Sequence, residues 1–522
     1  MRILKTLALT MALALSVAPS MAQELTIGRG NEPQSIDPQF SRTGPNQMTA
    51  LHMFDRLTTT DKNVRVKPAL AESWENVDPN TWIVHLRENV KFHDGSPLTA
   101  EDVVYSLKRA PDVPNSPASF GGSVADIESM EIIDDHTIRF TSKTPSPLFV
   151  QNIGTVYIVS KAATEGKSNE DFNSGAAAIG TGPYKFVSWE PGDKLVLERN
   201  DDYWGDKPAY EKVTMRFLSN DAARVAALLS GAVDLIDIVP PADLPSLRAN
   251  SDITVYDTPT VRLIYLALNQ QDDAPYITDL DGKPLAENPF KDARVRKAVS
   301  LMIDRQAIID RLLYGAGEAA SQIVPEGVFG FNPDIAVPQV DIDQAKALLA
   351  EAGYPDGFGI TVHSSNDRFS QDAELAQVLG QFLARGGLKV NGVETLPYSV
   401  YSKDAGKNAY GAFVFSYGNS TGESSRGLLS ALHTYDKEAN LGTLNRFRYS
   451  NPAFDKAVED AAQIFNDDER EAALQKAAAI AAEDTAVVPL YFQALSWASK
   501  NGIEYEPRRD ERTLAMGAKP AN

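Results

Sequence analysis

Hydrophobic and polar positions change period several times along this chain, and each change marks an element. Trp82, Val84 and Leu86 alternate with Ile83, His85 and Arg87, the period of a strand buried on at least one face. Pro79-Asn80 turns into that strand, and Asp94-Gly95 turns out of the next. The period then lengthens. Thr99 can cap a helix beginning near Glu101, Asp102 stands where a capping box places its acid, and Val103, Val104 and Leu107 form the inward stripe. Further on, Gly180–Pro183 feeds Tyr184, Phe186 and Ser188 to one face of a strand, and Pro191-Gly192 turns the chain back into Leu195–Arg199, which predicts a hairpin. The aromatics there, Trp189 and Trp204 included, read as packing.

The second half is patterned differently. Asp292–Leu313 places Val295, Val299, Met302 and Ile303 on one helical face with basic residues opposite. A second helix, Asp343–Ala352, ends in Gly353 with Pro355 just beyond. Leu25–Gly28 and Gly359–His363 read as strands, and the Ala-rich run Ala472–Ala482 as a helix. Two continuous apolar runs, Val261–Asn269 and Val487–Ala498, are of the kind that bury on both sides.

Composition narrows the function classes. The length of 522 residues predicts two or three domains. The absence of cysteine removes disulfides, zinc thiolates and thiol nucleophiles together. Arg2 and Lys5 head an apolar run, Thr6–Val17, that is short for a bilayer, and Ser20-Met21-Ala22 supplies small residues for cleavage before Gln23. The expectation is a cleaved signal peptide, a periplasmic protein and, with no Cys after the apolar run, no lipid anchor. The formal charge of −20 repels nucleic acid and anionic lipid, while a cleft can carry its own local charge. Six histidines include no H-E-x-x-H and no close helical pair, so no metal site and no cofactor are expected.

Several segments together resemble a known family. AIGTGPYKFVSWEPGDKLVLERNDDYWG (178–205), GNEPQSIDPQFS (30–41), VKPALAESWENVDPNTWIVHLRENVKFHDGSPLTAEDVVYSLKR (66–109), YSNPAFDKAVEDA from Tyr449 and AAEDTAVVPLYFQ from Ala481 are similar to the bacterial extracellular solute-binding proteins of family 5. These deliver dipeptides, oligopeptides and nickel chelates to ABC importers. The resemblance implies an α/β fold, a two-lobed periplasmic binding protein of class II, cluster C, with an inserted subdomain and a two-strand hinge. Lobe I would comprise 23–48, 178–262 and 489–522, the insertion 49–177, and lobe II 263–488, with the two apolar runs as the crossing strands. The partners it implies are a small peptide-like solute and the permease subunits with their cytoplasmic ATPases, and the chain would act as a monomer.

The resemblance also places the ligand, at Phe413–Gly427. In that family a strand ends in a Gly-Trp-x-x-Asp-like turn whose backbone pairs with a peptide and whose Asp holds its ammonium. The matching positions here are Ser416, Tyr417, Gly418, Asn419 and Ser420. Tyr417 can serve as the aromatic wall, and the small turn through Thr421 leaves backbone groups exposed. The carboxylate is missing, and Glu423 is either its replacement or a solvated, helix-starting residue. Arg262 and Tyr265 in the first crossing strand, Asn366 and Arg368 in a polar loop, and Glu32 and Gln34 by family position complete the candidate set. A guanidinium suits a carboxylate, although each Arg also has an ordinary structural reading. The missing Asp widens the ligand class to opine-like conjugates, glycosides and metal chelates. A reading of another class also stands: Gly418–Gly422 fits G-x-S-x-G, which would make Ser420 the nucleophile of a secreted hydrolase, with His433 the only histidine after it.

Overall fold

The computed structural model describes residues 23–419 and 421–521; the expected signal segment and Ser420 lie outside them. Two long antiparallel strands, Ile253–Leu268 and Val488–Lys500, run through the middle of a twelve-stranded sheet. At one end Ile253–Pro259 pairs with Ala494–Lys500, and the sheet continues through Leu235–Ile236, Glu24–Arg29, Lys212–Phe217 and the hairpin Tyr184–Glu190 with Lys194–Arg199. At the other end Arg262–Leu268 pairs with Ala412–Gly418, followed by the parallel strands Gly359–Ser365 and Lys389–Leu396.

Each half encloses its own apolar core. Leu25, Ile27, Leu195, Met215 and Leu235 pack with Trp82, Val84, Ile138 and Phe140 of a separate four-stranded sheet. In the other half the period of two divides the strands cleanly: Ile264, Leu266, Val362 and Val414 fill one face, while Leu263, Tyr265, Phe413 and Phe415 fill the other.

The first crossing strand begins at Ile253, earlier than the apolar run predicts, because the half-buried segment Ile253–Pro259 pairs with Ala494–Lys500 on a partly solvated edge. Its ladder is interrupted where the two halves meet. Pro259 pairs with Ala494 and Leu263 with Phe492, so Thr260, Val261 and Arg262 stand opposite Gln493 alone. A bulge of this kind bends the strand, and Pro259 brings no N–H to the ladder.

The predicted hairpin, with Gly192 at φ +80°, is present. So is the helix Ala100–Arg109, where the Asp102 carboxylate accepts the Thr99 N–H at 3.0 Å. Asp292–Leu313 differs from its expected single helix. The helix Ala293–Leu301 stops, Asp304 caps a new turn at Arg305–Ala307, and a wider turn follows over Ile308–Leu312. Nor are its basic residues all on a solvated face. Arg296 is buried, donating to the carbonyls of Phe290, Lys291, Asp484 and Thr485. Arg305 is buried as well, donating to the carbonyls of Pro489, Ser300 and Ile303. Both guanidinium groups pin this helix to the approach of the second crossing strand.

Candidate functional site

The bulged crossing is the floor of a cleft of about 410 Å³. Tyr491 and Gln493–Ser496 form the floor, Asp221 and Ile238–Pro241 one wall, and Leu313, Ala316 and Asp367–Ser370 the other. The walls come from the two ends of the sheet, so a solute lying there would touch both.

One candidate residue, Arg368, lines this cleft, and it lies over a tyrosine that the motifs did not single out. The Arg368 guanidinium sits 5.0 Å from the centroid of the Tyr398 ring, and the Tyr398 N–H donates to Asp367 at 2.6 Å. Arg262 borders Gly418, where an added Cβ would lie 3.4 Å from its guanidinium. Arg262 is not free, because Glu511 accepts from Nε and Nη2 at 2.8 and 2.9 Å. Burial alone would depress the Arg262 pKa; Glu511 outweighs it and holds the group above its ordinary value. Asn366, the neighbour of Asp367, is exposed.

Other candidates are committed to structure. Tyr265 is buried between Phe415 and Phe447, in the apolar core on one face of the sheet. The Tyr417 ring packs against Gly427 and Ile323, where an added Cβ at Gly427 would lie 2.9 Å from the ring. Asn419 is fully buried, its Nδ2 donating to the Glu423 carbonyl at 2.8 Å and its Oδ1 accepting from the Thr421 hydroxyl at 2.9 Å. These two side chains therefore shape the turn. Glu423 is neither solvated nor directed at the cleft: its carboxylate is buried 3.3 Å from the equally buried Arg470. Burial raises its pKa, with Arg470 opposing. In the opening loop, Glu32 accepts the Gly192 N–H at 2.8 Å and so fastens the hairpin turn, while Gln34 is exposed and is held through its backbone by Asn46.

Sequence patterns missed two further groups. One is the segment Arg508–Thr513, which runs past the hinge and ties its parts together. Arg508 donates to the Thr60 carbonyl at 3.0 Å, the Arg509 carbonyl accepts from Val261 at 3.0 Å, Arg512 reaches Gln47 at 3.0 Å, and Thr513 reaches Asp237 at 3.3 Å. Arg508 and Arg512 both pair with Asp510, at 2.6 and 3.1 Å. The other is Arg42, half-buried with its guanidinium 5.9 Å from the Phe120 ring centroid, its pKa lowered by burial first and by Arg426 second.

His433 is held by two acceptors, with Nε2 2.7 Å from Glu459 and Nδ1 2.7 Å from the Thr434 carbonyl. Burial would lower its pKa, but the Thr434 carbonyl, Glu459 and Asp455 outweigh it and the value is raised. An imidazole with both nitrogens donating is an acid, not a base poised to take a serine proton. Its folded pKa lies above the unfolded one, so its stabilising contribution is complete below the unfolded value and is lost as pH rises through the folded value. His433→Gln is therefore expected to cost more stability at about pH 6 than at about pH 9, measured by denaturant titration; an equal cost at both would contradict the charged state.

Comparisons with known proteins place this architecture. A family model described as bacterial extracellular solute-binding proteins, family 5 middle, matches residues 65–439, more than half of the chain. Heme-binding protein A of Haemophilus influenzae is 27% identical over 467 residues, covering 84% of this chain and 81% of that protein. The periplasmic oligopeptide-binding protein OppA of Salmonella typhimurium is 27% identical over 501 residues, covering 90% and 87%. Among solved structures, the periplasmic binding protein DppA of Helicobacter pylori, in complex with the peptide STSA, is 25% identical with a TM-score of 0.71, covering 96% of this chain and 98% of that one. HbpA2 of Haemophilus parasuis shares the fold at 24% identity and a TM-score of 0.82, covering 96% and 100%. The fold is the two-lobed α/β architecture of periplasmic binding proteins, and the chain belongs to family 5 of the bacterial extracellular solute-binding proteins, a family of binding proteins rather than enzymes.

Proposed function

We propose that this protein is the periplasmic receptor of an ABC importer, taking a small peptide-like solute between its two lobes and presenting it to membrane permease subunits. The observation that carries this reading is the cleft at the bulged crossing, lined from both ends of one sheet that only two long strands connect. Two crossings joined by a bulge allow rotation of the lobes, and a solute touching both walls favours the closed arrangement by its differential affinity. The relatives support it: their names specify oligopeptide, D,D-dipeptide, glutathione and heme binding.

In this reading lobe I is 23–48, 178–262 and 489–522, the inserted subdomain is 49–177, and lobe II is 263–488. The chain matures at Gln23, is released by osmotic shock and works as a monomer. Ligand contacts come from Arg368, Asn366, Tyr398 and the backbone of Gly418–Thr421, with Arg262 set by Glu511. Among the described residues no helix is long and apolar enough to cross a membrane.

Mass spectrometry of solutes carried through a gentle osmotic-shock purification tests the proposal. A stoichiometric small molecule released on denaturation is expected; an empty protein that no peptide, conjugate or chelate binds in calorimetry would overturn it.

A further inference from the structure

Two apolar side chains cross the boundary between the proposed lobes in opposite directions. Val64, at the tip of a hairpin in the proposed insertion, packs with Val261, Leu263 and Phe415. Phe465 makes the reverse crossing. It sits between the helices Pro452–Ala462 and Asp467–Glu483, whose Phe454, Val458, Leu474 and Ala477 line the same core that holds Val64. The Phe465 ring turns away from that core and packs on the other one, with its centroid 6.1 Å from that of Trp82 in the four-stranded sheet and an interplanar angle of 34°. Polar contacts hold both side chains in place. Arg65, beside Val64, donates to the Gly327 carbonyl at 2.8 Å, across the same boundary. Arg470 donates to the Ile464 carbonyl at 3.1 Å, next to Phe465, and meets the Glu423 carboxylate at 3.3 Å, so the connector that presents Phe465 is tied to the segment following the Gly418–Thr421 turn.

We infer that Val64 and Phe465 are paired plugs that hold part of the solute-free population closed and so scale the affinity for every solute by the same factor. Moving the lobes apart would draw each side chain out of the opposite core and return apolar surface to water, a cost that falls on the open state alone. A solute that binds only the closed state has its apparent affinity reduced to the fraction of molecules already closed, so affinity follows how well the plugs seat. Specificity does not, because neither side chain lines the cleft. This rests on the two-lobed receptor reading and adds to it the residues that govern closing.

The chain has no cysteine, so nitroxide labels on Glu75→Cys and Gln463→Cys, exposed positions near Trp82 and Phe465 respectively, report the gap by pulsed electron paramagnetic resonance without any solute. Mature protein stripped by unfolding and refolding should show a short distance beside a long one. In Phe465→Ala the ratio of short to long should fall at least about fivefold, Val64→Ala should lower it too, and Phe465→Leu, which keeps an apolar plug, should retain most of it. The copurified solute, returned by calorimetric titration, should bind Phe465→Ala more weakly by the ratio of the closed fractions and should restore the short distance at saturation. A stripped wild type with no short population, or a Phe465→Ala distribution equal to that of wild type, overturns the plugs; if Phe465→Ala fails to fold, Val64→Ala decides from the other side of the boundary. If the solute binds and shortens the distance in wild type and both variants alike, the plugs fail and the receptor reading stands. If the short population responds to the variants but no solute binds, the plugs stand and the receptor reading fails.

Discussion

Replacing Arg470 by alanine is expected to destabilise the protein by about 3–5 kcal/mol, the usual cost of leaving a buried partner charge alone. Arg470 and Glu423 are each 3% exposed, and Arg470 also donates to the Ile464 carbonyl at 3.1 Å and lies over the Phe329 ring. Glu423 already has its pKa raised by burial, with Arg470 the principal opposing influence. Without Arg470 it should rise further. A carboxyl whose folded pKa exceeds its unfolded one penalises folding above the folded value, and the penalty fades as pH falls towards the unfolded value. The deficit of Arg470→Ala should therefore shrink on acidification, and the double variant Arg470→Met, Glu423→Leu should lie closer to wild type than the single variant. Denaturant titrations from neutral to mildly acidic pH check both; a deficit below about 1 kcal/mol, or one indifferent to pH, would contradict the pairing.

The second large effect is expected at Gly422, which abuts the hairpin around Val64. Gly422 has φ +75°, and a Cβ there would lie 2.1 Å from the Val64 carbonyl oxygen. Val64 is the tip of the hairpin formed by Thr58–Thr60 and Val66–Pro68; it is 1% exposed and belongs to the apolar core of Val261, Leu263 and Phe415. Its own φ of +67° is costly for a β-branched residue, roughly 1–3 kcal/mol, and persists because the contact holds it. Gly422→Ala must push the hairpin out of that core. We expect a lower melting temperature and at least about a tenfold loss of affinity for the copurified solute, because closed lobes need the hairpin seated. Wild-type affinity and melting in Gly422→Ala would show that the contact is not part of closure.

How far the sequence could be read depends on the range of the interaction. The capping box at Thr99 and Asp102, the Gly192 hairpin and the two crossing strands follow from neighbours a few residues apart, and a single chain displays those. Arg296 and Arg305 read as solvated because their acceptors, the carbonyls around Asp484–Pro489, lie nearly two hundred residues away. Separations of 47 and 249 residues likewise hid the Arg470 partner of Glu423 and the Glu511 partner of Arg262. Family position chose Glu32 and Gln34, but position cannot say that one carboxylate is already spent on the Gly192 N–H. The loop after Gly359–Ser365 was legible as polar and placed at a strand end, and Arg368 does line the cleft wall.

The most direct test of the receptor reading is small-angle scattering with thermal melts on the same preparation, as purified, after stripping, and after return of the isolated solute. Stripping should enlarge the radius of gyration and lower the melting temperature, and returning the solute should reverse both in proportion to occupancy. A solute that binds tightly and stoichiometrically yet changes neither quantity would contradict capture between two closing lobes.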